Sequence, residues 1–199
     1  RRSSDLGCAH RRWRVCRHST TSVLFGTTLP DGLDGYPGNR ALFAEYTVSD
    51  AALRVVYSAT TDALTFIDMT NHVYWDLSGR FDGSALDQTL KINASQVVFN
   101  DAEHLPKEIA PVDDVFDFTS PCALSERLAG RGGHPQVRIG RGYNNAYIID
   151  EDRRRALGFA CRLHSPQSGM TMTMDTDQPA VVLYSGGFLD ASTPLQARP

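Results

Sequence analysis

The 199-residue sequence predicts an all-β fold of antiparallel strands, either a β-sandwich or a barrel. Short segments with apolar residues at every second position recur along the chain, and clusters of turn residues separate them. No segment between them shows a helical pattern of ten or more residues. Because parallel strands need long, usually helical crossovers, this pattern argues against a nucleotide-binding parallel sheet.

The N-terminal segment differs from the rest of the chain in charge and in patterning. Residues 1–22 carry six arginines against one acidic residue, Asp5, and show no hydrophobic period. We interpret residues 1–25 as an irregular basic leader, disordered or non-native, and residues 26–199 as a partial β-sandwich domain. A transit peptide is the weaker interpretation of this Arg- and Ser-rich segment.

A turn-rich loop over residues 26–39 precedes the first predicted hairpin. The run 53–57 predicts the return strand of that hairpin, and a further β-rich run is expected over residues 64–77. The outgoing strand of the hairpin is predicted by the alternation of Leu42, Ala44, Tyr46 and Val48.

The remaining predicted strands are short. Residues Pro121–Leu128 predict one short helical turn, and the glycine-rich, basic segment 130–142 predicts a long surface loop. Strands are expected at residues 90–92, 96–99, 146–149, 156–163, 170–174 and 181–184.

Composition argues against several classes of function. The formal net charge of -3 gives no basis for nucleic acid or an anionic membrane as a partner, and no apolar run reaches membrane-spanning length. The four cysteines include no Cys-x-x-Cys pair and no zinc-like spacing, so no metal site is predicted. Nothing in their use requires an oxidising compartment, and a cytoplasmic location is expected. Cys161, in an alternating apolar run, predicts a buried free thiol.

Of the six histidines, His72 has the surroundings most suited to chemistry. It lies in Thr70–Leu77, a dense mixture of aromatic, apolar and hydrogen-bonding side chains. Aromatic rings can stack on the C–H faces of a sugar while polar groups bond its hydroxyls, and burying so many polar groups is costly unless they are paired or hold a ligand. From the residues alone, a functional and a structural His72 are equally open. Solvated loop positions are expected for His10, His18, His104, His134 and His164.

Five segments follow one another in the order of a known family's motifs. They are Asp-Gly-Tyr-Pro-Gly-Asn at 34–39, Asn-His-Val-Tyr-Trp-Asp-Leu at 71–77, Glu-Ile-Ala-Pro-Val with Phe-Asp-Phe within 108–118, Ile-Gly-Arg-Gly-Tyr-Asn-Asn at 139–145, and Tyr-Ser-Gly-Gly-Phe-Leu at 184–189. Together they resemble the aldose 1-epimerase (galactose mutarotase) family, from about Asp31 to Asp190.

The resemblance implies a large twisted antiparallel β-sandwich and an isomerase that interconverts the α and β anomers of free hexoses such as galactose and glucose. In that chemistry a base removes the C1 hydroxyl proton, an acid protonates the ring oxygen, and the opened ring recloses after rotation about C1–C2. His72 matches the family's acid, a role that suits an imidazole because imidazoles titrate near neutral pH.

The same resemblance implies Asn71, Tyr74 and Asn144 as substrate-binding residues. It implies no metal and no organic cofactor. A hexose is the expected small-molecule partner, and a monomer or homodimer is the expected state.

The sequence departs from the family pattern at single positions and at both ends. Position 144 is Asn where the family has Asp, position 145 is Asn where it often has His, and position 187 is Gly where Asn is usual. Neither the family's His-Gly-Gly segment, before the Gly-Tyr-Pro-Gly loop, nor the Pro-Gly-Glu segment that carries its catalytic base has a counterpart. The chain is therefore expected to be an incomplete mutarotase, truncated at both ends.

Three functions stay open at this point. The chain is an aldose 1-epimerase, a carbohydrate-binding module with impaired catalysis, or an inactive fragment of a mutarotase. Within the superfamily, a hexose-6-phosphate epimerase is the weaker option, because the Asn-His-x-Tyr and Phe-Asp-Phe segments are more similar to the free-sugar branch.

Overall fold

The computed structural model describes residue 8 and residues 11–80, 85–150 and 157–189. Within these residues the chain forms twelve strands and two short α-helices. All strand pairs are antiparallel, which confirms the predicted all-β antiparallel fold. Two compact units result, Arg1–Val73 and Tyr74–Pro199, where the sequence indicated one domain from residue 26.

The first unit is a four-stranded sheet in which every strand pairs with the next one along the chain. Its strands are β1 (Arg14–His18), β2 (Ser22–Leu29), β3 (Arg40–Ser49) and β4 (Ala52–Thr61). Ser49 pairs with Ala52, so a two-residue turn closes the predicted β3–β4 hairpin. Leu42 and Ala44 are buried on alternate positions, as the period of two predicts.

Two of these strands reach into the segment expected to be irregular. The residues concerned are 14–18 in β1 and 22–25 in β2. All five residues of β1 are exposed, so this strand is held by main-chain hydrogen bonds to β2 and by the ion pair of Arg17 with Glu45, and it leaves no apolar period to detect. Residues 1–7 and 9–10 lie outside the described residues.

The β-rich run expected over residues 64–77 is wrong. Residues 62–76 contain no strand, and Leu64 and Phe66 are 96% and 67% exposed. A β-rich composition indicates only a tendency to form a strand. A strand also needs a neighbouring edge, and no described strand pairs with this segment.

The second unit is a β-sandwich. One of its sheets has the order β11–β10–β5–β8 and the other the order β12–β9–β6–β7. Its strands are β5 (Thr89–Ile92), β6 (Gln96–Asn100), β7 (Pro106–Pro111), β8 (Cys122–Ala123), β9 (Asn144–Ile148), β10 (Gly158–His164), β11 (Thr171–Thr176) and β12 (Ala180–Tyr184).

One hydrophobic cluster fills the space between the two sheets of this unit. Ile92 and Leu163 come from the first sheet, and Val97 and Tyr147 come from the second. Cys161 belongs to the same cluster, and its thiol is buried and free, as the sequence predicts. Residues from both inner faces interdigitate in this way in sandwiches.

Two short helices complete the second unit. The helix α1 (Leu124–Leu128) confirms the helical turn predicted over 121–128. The helix α2 (Pro135–Gly140) lies where a surface loop was expected, because six residues are too few to show a helical period. Its signals are local: His134 caps its N-terminus, Pro135 opens it, and Arg141 closes it in the left-handed conformation. In the described part of the chain, no helix has the length and apolar character to cross a membrane.

Candidate functional site

His72 lies on the surface of the first unit. It belongs, with Asn71, to the segment without regular structure that follows β4, and both residues are exposed. The carbonyl of Asn71 accepts a hydrogen bond of 3.2 Å from the hydroxyl of Thr70. An exposed imidazole is accessible to a ligand from solvent, but here it projects from an irregular segment rather than from a strand.

Tyr74 and Asn144 belong to the second unit and are linked there by one residue, Tyr184. The rings of Tyr74 and Tyr184 lie 5.8 Å apart. Tyr184 is the cross-strand partner of Asn144 in the β9–β12 pairing. The structure therefore brings two of the four predicted site residues to the same end of this sheet.

Three further side chains extend the contact between Tyr74 and Tyr184. Phe188 stacks on Tyr184 with ring centroids 6.4 Å apart, and its main-chain N–H donates to the Tyr184 hydroxyl over 3.0 Å. The Arg141 guanidinium lies 5.0 Å from the centre of the Phe188 ring, and His104 packs edge-on against that ring at 5.3 Å. We call Tyr74, His104, Arg141, Tyr184 and Phe188 the aromatic cluster.

Much of the aromatic cluster is open to solvent. Tyr74 is 55% exposed and Phe188 is 39% exposed. Partial burial, and then the neighbouring Tyr184, raise the pKa of the Tyr74 phenol. The phenol therefore stays neutral and can donate a hydrogen bond at physiological pH.

Two loops hold the aromatic cluster together. Ser185 donates its main-chain N–H to the carbonyl of Tyr143 over 3.0 Å and accepts from the N–H of Tyr143 at its hydroxyl over 2.9 Å. Arg141 has a φ of 50° and His104 a φ of 65°, conformations that non-glycine residues adopt only at a cost. Such residues persist where the surrounding structure over-determines them, often at functional sites.

Asn144 has a side-chain amide that is not used by the main-chain hydrogen bonds around it. It is half-buried at the start of β9, and its hydrogen bonds use the main chain: its carbonyl accepts from Asn100 Nδ2 over 3.0 Å and its N–H donates to Asn145 Oδ1 over 3.3 Å. Among the described residues, no group bonds its side-chain amide. One donor group and one acceptor are thus available beside apolar ring faces, a combination that suits a sugar.

The first unit contains a separate cavity of about 430 Å³ beside its Gly-Tyr-Pro-Gly loop. Its polar groups bond mainly to the loop itself, although the buried Nε of Arg40 has no hydrogen-bond partner among the described residues. Arg40, 4% exposed, donates to the carbonyls of Pro30 and Leu33, each over 3.1 Å. Both oxygens of Asp62 accept from Asn39, and these hydrogen bonds lower the pKa of the Asp62 carboxyl. We therefore assign this cavity a structural role.

The sequence assigned no role in the site to several residues that the structure places there. Tyr184 and Phe188 stand in a recognised motif, but the motif alone assigned them no role. His104 is exposed, as expected, yet its ring packs on Phe188. His134 is not a solvated loop residue, because it caps α2 and faces Asp113. In the described part of the chain, no group of three or more His, Cys, Asp or Glu residues could hold a metal ion.

Comparisons with known proteins agree on one family. The family model for aldose 1-epimerase matches residues 5–198. Galactose mutarotase of Rattus norvegicus is 30% identical over 175 residues, which cover 87% of this chain and 48% of that protein. Aldose 1-epimerase of Escherichia coli K12 is 28% identical over 188 residues, which cover 92% of this chain and 52% of that protein.

A solved structure supports the same conclusion for the fold. An aldose epimerase homologue from C. elegans superposes with a TM-score of 0.79 at 28% identity, covering 92% of this chain and 54% of the other. The chain thus spans about half the length of the curated relatives it matches.

Proposed function

Because the chain belongs to the aldose 1-epimerase family, we propose that it binds a free hexose, such as galactose or glucose, and interconverts the α and β anomers. The observation that carries the proposal is the family match over residues 5–198. That match includes the Asn71–Leu77 segment and the start of β9. The same proposal includes a cytoplasmic location and a monomeric or homodimeric state.

His72 is the proposed general acid. Its imidazole would protonate the ring oxygen of the sugar while a water molecule accepts the proton of the C1 hydroxyl, and both protons would return when the ring recloses. Its exposure supports this role, since a group that exchanges protons with a soluble substrate must be reachable. Asn71, one residue before His72 in the sequence, and Tyr74, two residues after it, are the proposed hydrogen-bonding residues for the hydroxyls.

Within the second unit, Tyr74, Phe188 and Asn144 are the proposed sugar contacts. The exposed faces of Tyr74 and Phe188 can cover apolar C–H faces of a hexose. The side-chain amide of Asn144 can donate to one hydroxyl and accept from another. Because an amide lacks the charge of the family's Asp, its hydrogen bonds to the hydroxyls are weaker than those of a carboxylate.

Polarimetry of freshly dissolved α-D-galactose and α-D-glucose tests the proposal. We expect the optical rotation to reach equilibrium faster with the chain than in buffer alone. Asn144→Asp, which restores the family's carboxylate, is expected to raise the enzymatic rate further. If the rotation follows the spontaneous rate at every protein concentration, the chain does not act as an epimerase by itself.

The second candidate is a carbohydrate-binding module without turnover. The neutral Asn144, beside the exposed aromatic cluster, favours it, since both features serve binding rather than proton transfer. Trp75 is 40% exposed and adjoins Tyr74, so its fluorescence should report sugar binding. A saturable change in fluorescence with no acceleration in the polarimeter would identify the binding module.

A further inference from the structure

The strands β6 and β9 separate toward the end where Asn144 lies. Their ladder consists of two pairs, Gln96 with Ile148 and Val97 with Tyr147. Beyond these pairs, side-chain amides replace the main-chain ladder. We call the three residues that supply them, Asn100, Gln136 and Asn145, the amide wedge.

Gln136 is the centre of the amide wedge. Its Oε1 accepts from the main-chain N–H of Asn100 over 2.9 Å, and its Nε2 donates to the carbonyl of Asn100 over 2.8 Å. The same Oε1 accepts from Asn145 Nδ2 over 3.1 Å, and that nitrogen also donates to the carbonyl of Val98 over 2.9 Å. Gln136 is 8% exposed and Asn145 is 2% exposed, so water cannot readily replace these bonds.

The amide wedge holds Asn144 from two sides. Asn100 Nδ2 donates to the Asn144 carbonyl, and Asn145 Oδ1 accepts from the Asn144 N–H. Both main-chain polar groups of Asn144 therefore bond to the side chains of Asn100 and Asn145, the two residues to which Gln136 itself bonds. The side-chain amide of Asn144 takes no part in this network.

His134 fixes the position of Gln136. Its Nδ1 accepts from the Gln136 N–H over 3.2 Å, so the ring proton lies on Nε2 and faces Asp113 Oδ2 at 3.0 Å. Phe99 and Phe116 pack on the ring, with centroids 6.2 and 5.3 Å away. The imidazole is thus held by packing and by hydrogen bonds at both nitrogens.

We propose that Gln136, held by His134, is a positioning residue for Asn144. It sets the place where β9 departs from β6, and thereby aims the side-chain amide of Asn144 at the hexose. The inference rests on the proposed function, because only there does Asn144 contact a sugar. Gln136 itself would touch no substrate, so it acts through main-chain geometry.

The variant Gln136→Leu tests this role, because it keeps the approximate size of the side chain and removes three hydrogen bonds. Asn93→Ala is the matched control: it removes one half-buried hydrogen bond, from the side-chain amide of Asn93 to the carbonyl of Phe159 over 3.3 Å, at a position between β5 and β10. The readouts are the NMR resonances of the Asn144 main-chain and side-chain amides without sugar, and the Kd for D-galactose.

We expect Gln136→Leu to move the Asn144 resonances and to raise the Kd about tenfold, the effect of one misplaced hydrogen-bonding group. Asn93→Ala should leave both at wild-type values. His134→Ala should reproduce the change in part, and His134→Asn, which restores an N-cap acceptor, should reverse it. If Gln136→Leu fails to fold, His134→Ala is the variant that tests the positioning role.

Unchanged Asn144 resonances in Gln136→Leu or His134→Ala would overturn the positioning role. The same holds if Asn93→Ala raises the Kd as much as Gln136→Leu does. If the wild-type chain binds neither D-galactose nor D-glucose, the proposed function fails, and the Asn144 resonances then decide the positioning role by themselves.

Discussion

Gly187→Ala is predicted to displace the loop that carries Phe188 away from Arg141. A Cβ at position 187 would overlap the carbonyl oxygen of Arg141 and lie 2.7 Å from its carbonyl carbon and 2.8 Å from its Cβ. Moving the carbon contact from 2.7 Å to an ordinary 3.4 Å displaces the loop by at least about 0.7 Å. The Asn usual in the family at this position therefore requires a different loop path.

The cost of that displacement follows from the contacts it breaks. Overpacking costs about 1–3 kcal/mol, and the two hydrogen bonds between Ser185 and Tyr143 contribute about 1 kcal/mol each. We expect Gly187→Ala to lower the free energy of unfolding by about 3–5 kcal/mol in urea, and to weaken sugar binding. Gly133→Ala is the matched control, since a Cβ at position 133 meets nothing within 4 Å. Equal unfolding free energies for the two variants would refute the reasoning.

Three further predictions concern the buried groups of the second unit. The buried Tyr143 hydroxyl donates to the carbonyl of Val115 over 2.9 Å, whereas the buried Tyr147 hydroxyl has no partner among the described residues. Tyr143→Phe should therefore lower the free energy of unfolding in urea by about 1–2 kcal/mol. Tyr147→Phe should leave that free energy unchanged or raise it. A larger loss of stability in Tyr147→Phe than in Tyr143→Phe would contradict the assigned hydrogen bonds. Burial raises the pKa of the Cys161 thiol from 9.0 to about 11, which favours the neutral form in the folded state. This contribution to stability is complete below pH 9 and is lost as the pH rises toward about 11. In the folded chain a thiol reagent should modify the exposed Cys16 and spare Cys161, and rapid modification of Cys161 would show that it is accessible.

Strand patterning predicted the sheets wherever side chains alternate between core and solvent. β3 and β10 are examples, because Leu42 and Leu163 are buried on regular positions. The signal was absent for β1, whose side chains are all exposed, and the β-rich composition of residues 64–77 was misleading, because no described strand pairs with residues 62–76. Pairing is a tertiary property, and the pattern of one segment contains no information about its partner.

Site residues that belong to a sequence motif could be predicted. Site residues whose role depends on tertiary packing could not. Tyr74 and Asn144 were named from motifs, and the structure links them through Tyr184. The role of Gln136 could not be predicted, because a glutamine in a glycine-rich, basic segment gives no sign that it is buried between two strands. Its function depends on hydrogen bonds to Asn100, 36 residues earlier in the chain.

The central claim, that His72 exchanges a proton with a hexose, is tested most directly by NMR exchange spectroscopy of D-galactose at equilibrium. The exchange rate between the α and β anomeric signals is compared for wild type, His72→Gln and His164→Gln. His164 is the control histidine, half-buried on β10 and bonded to Thr171 over 2.9 Å. We predict that the enzymatic exchange falls at least about 100-fold in His72→Gln and persists in His164→Gln. Wild-type exchange in His72→Gln would contradict the account.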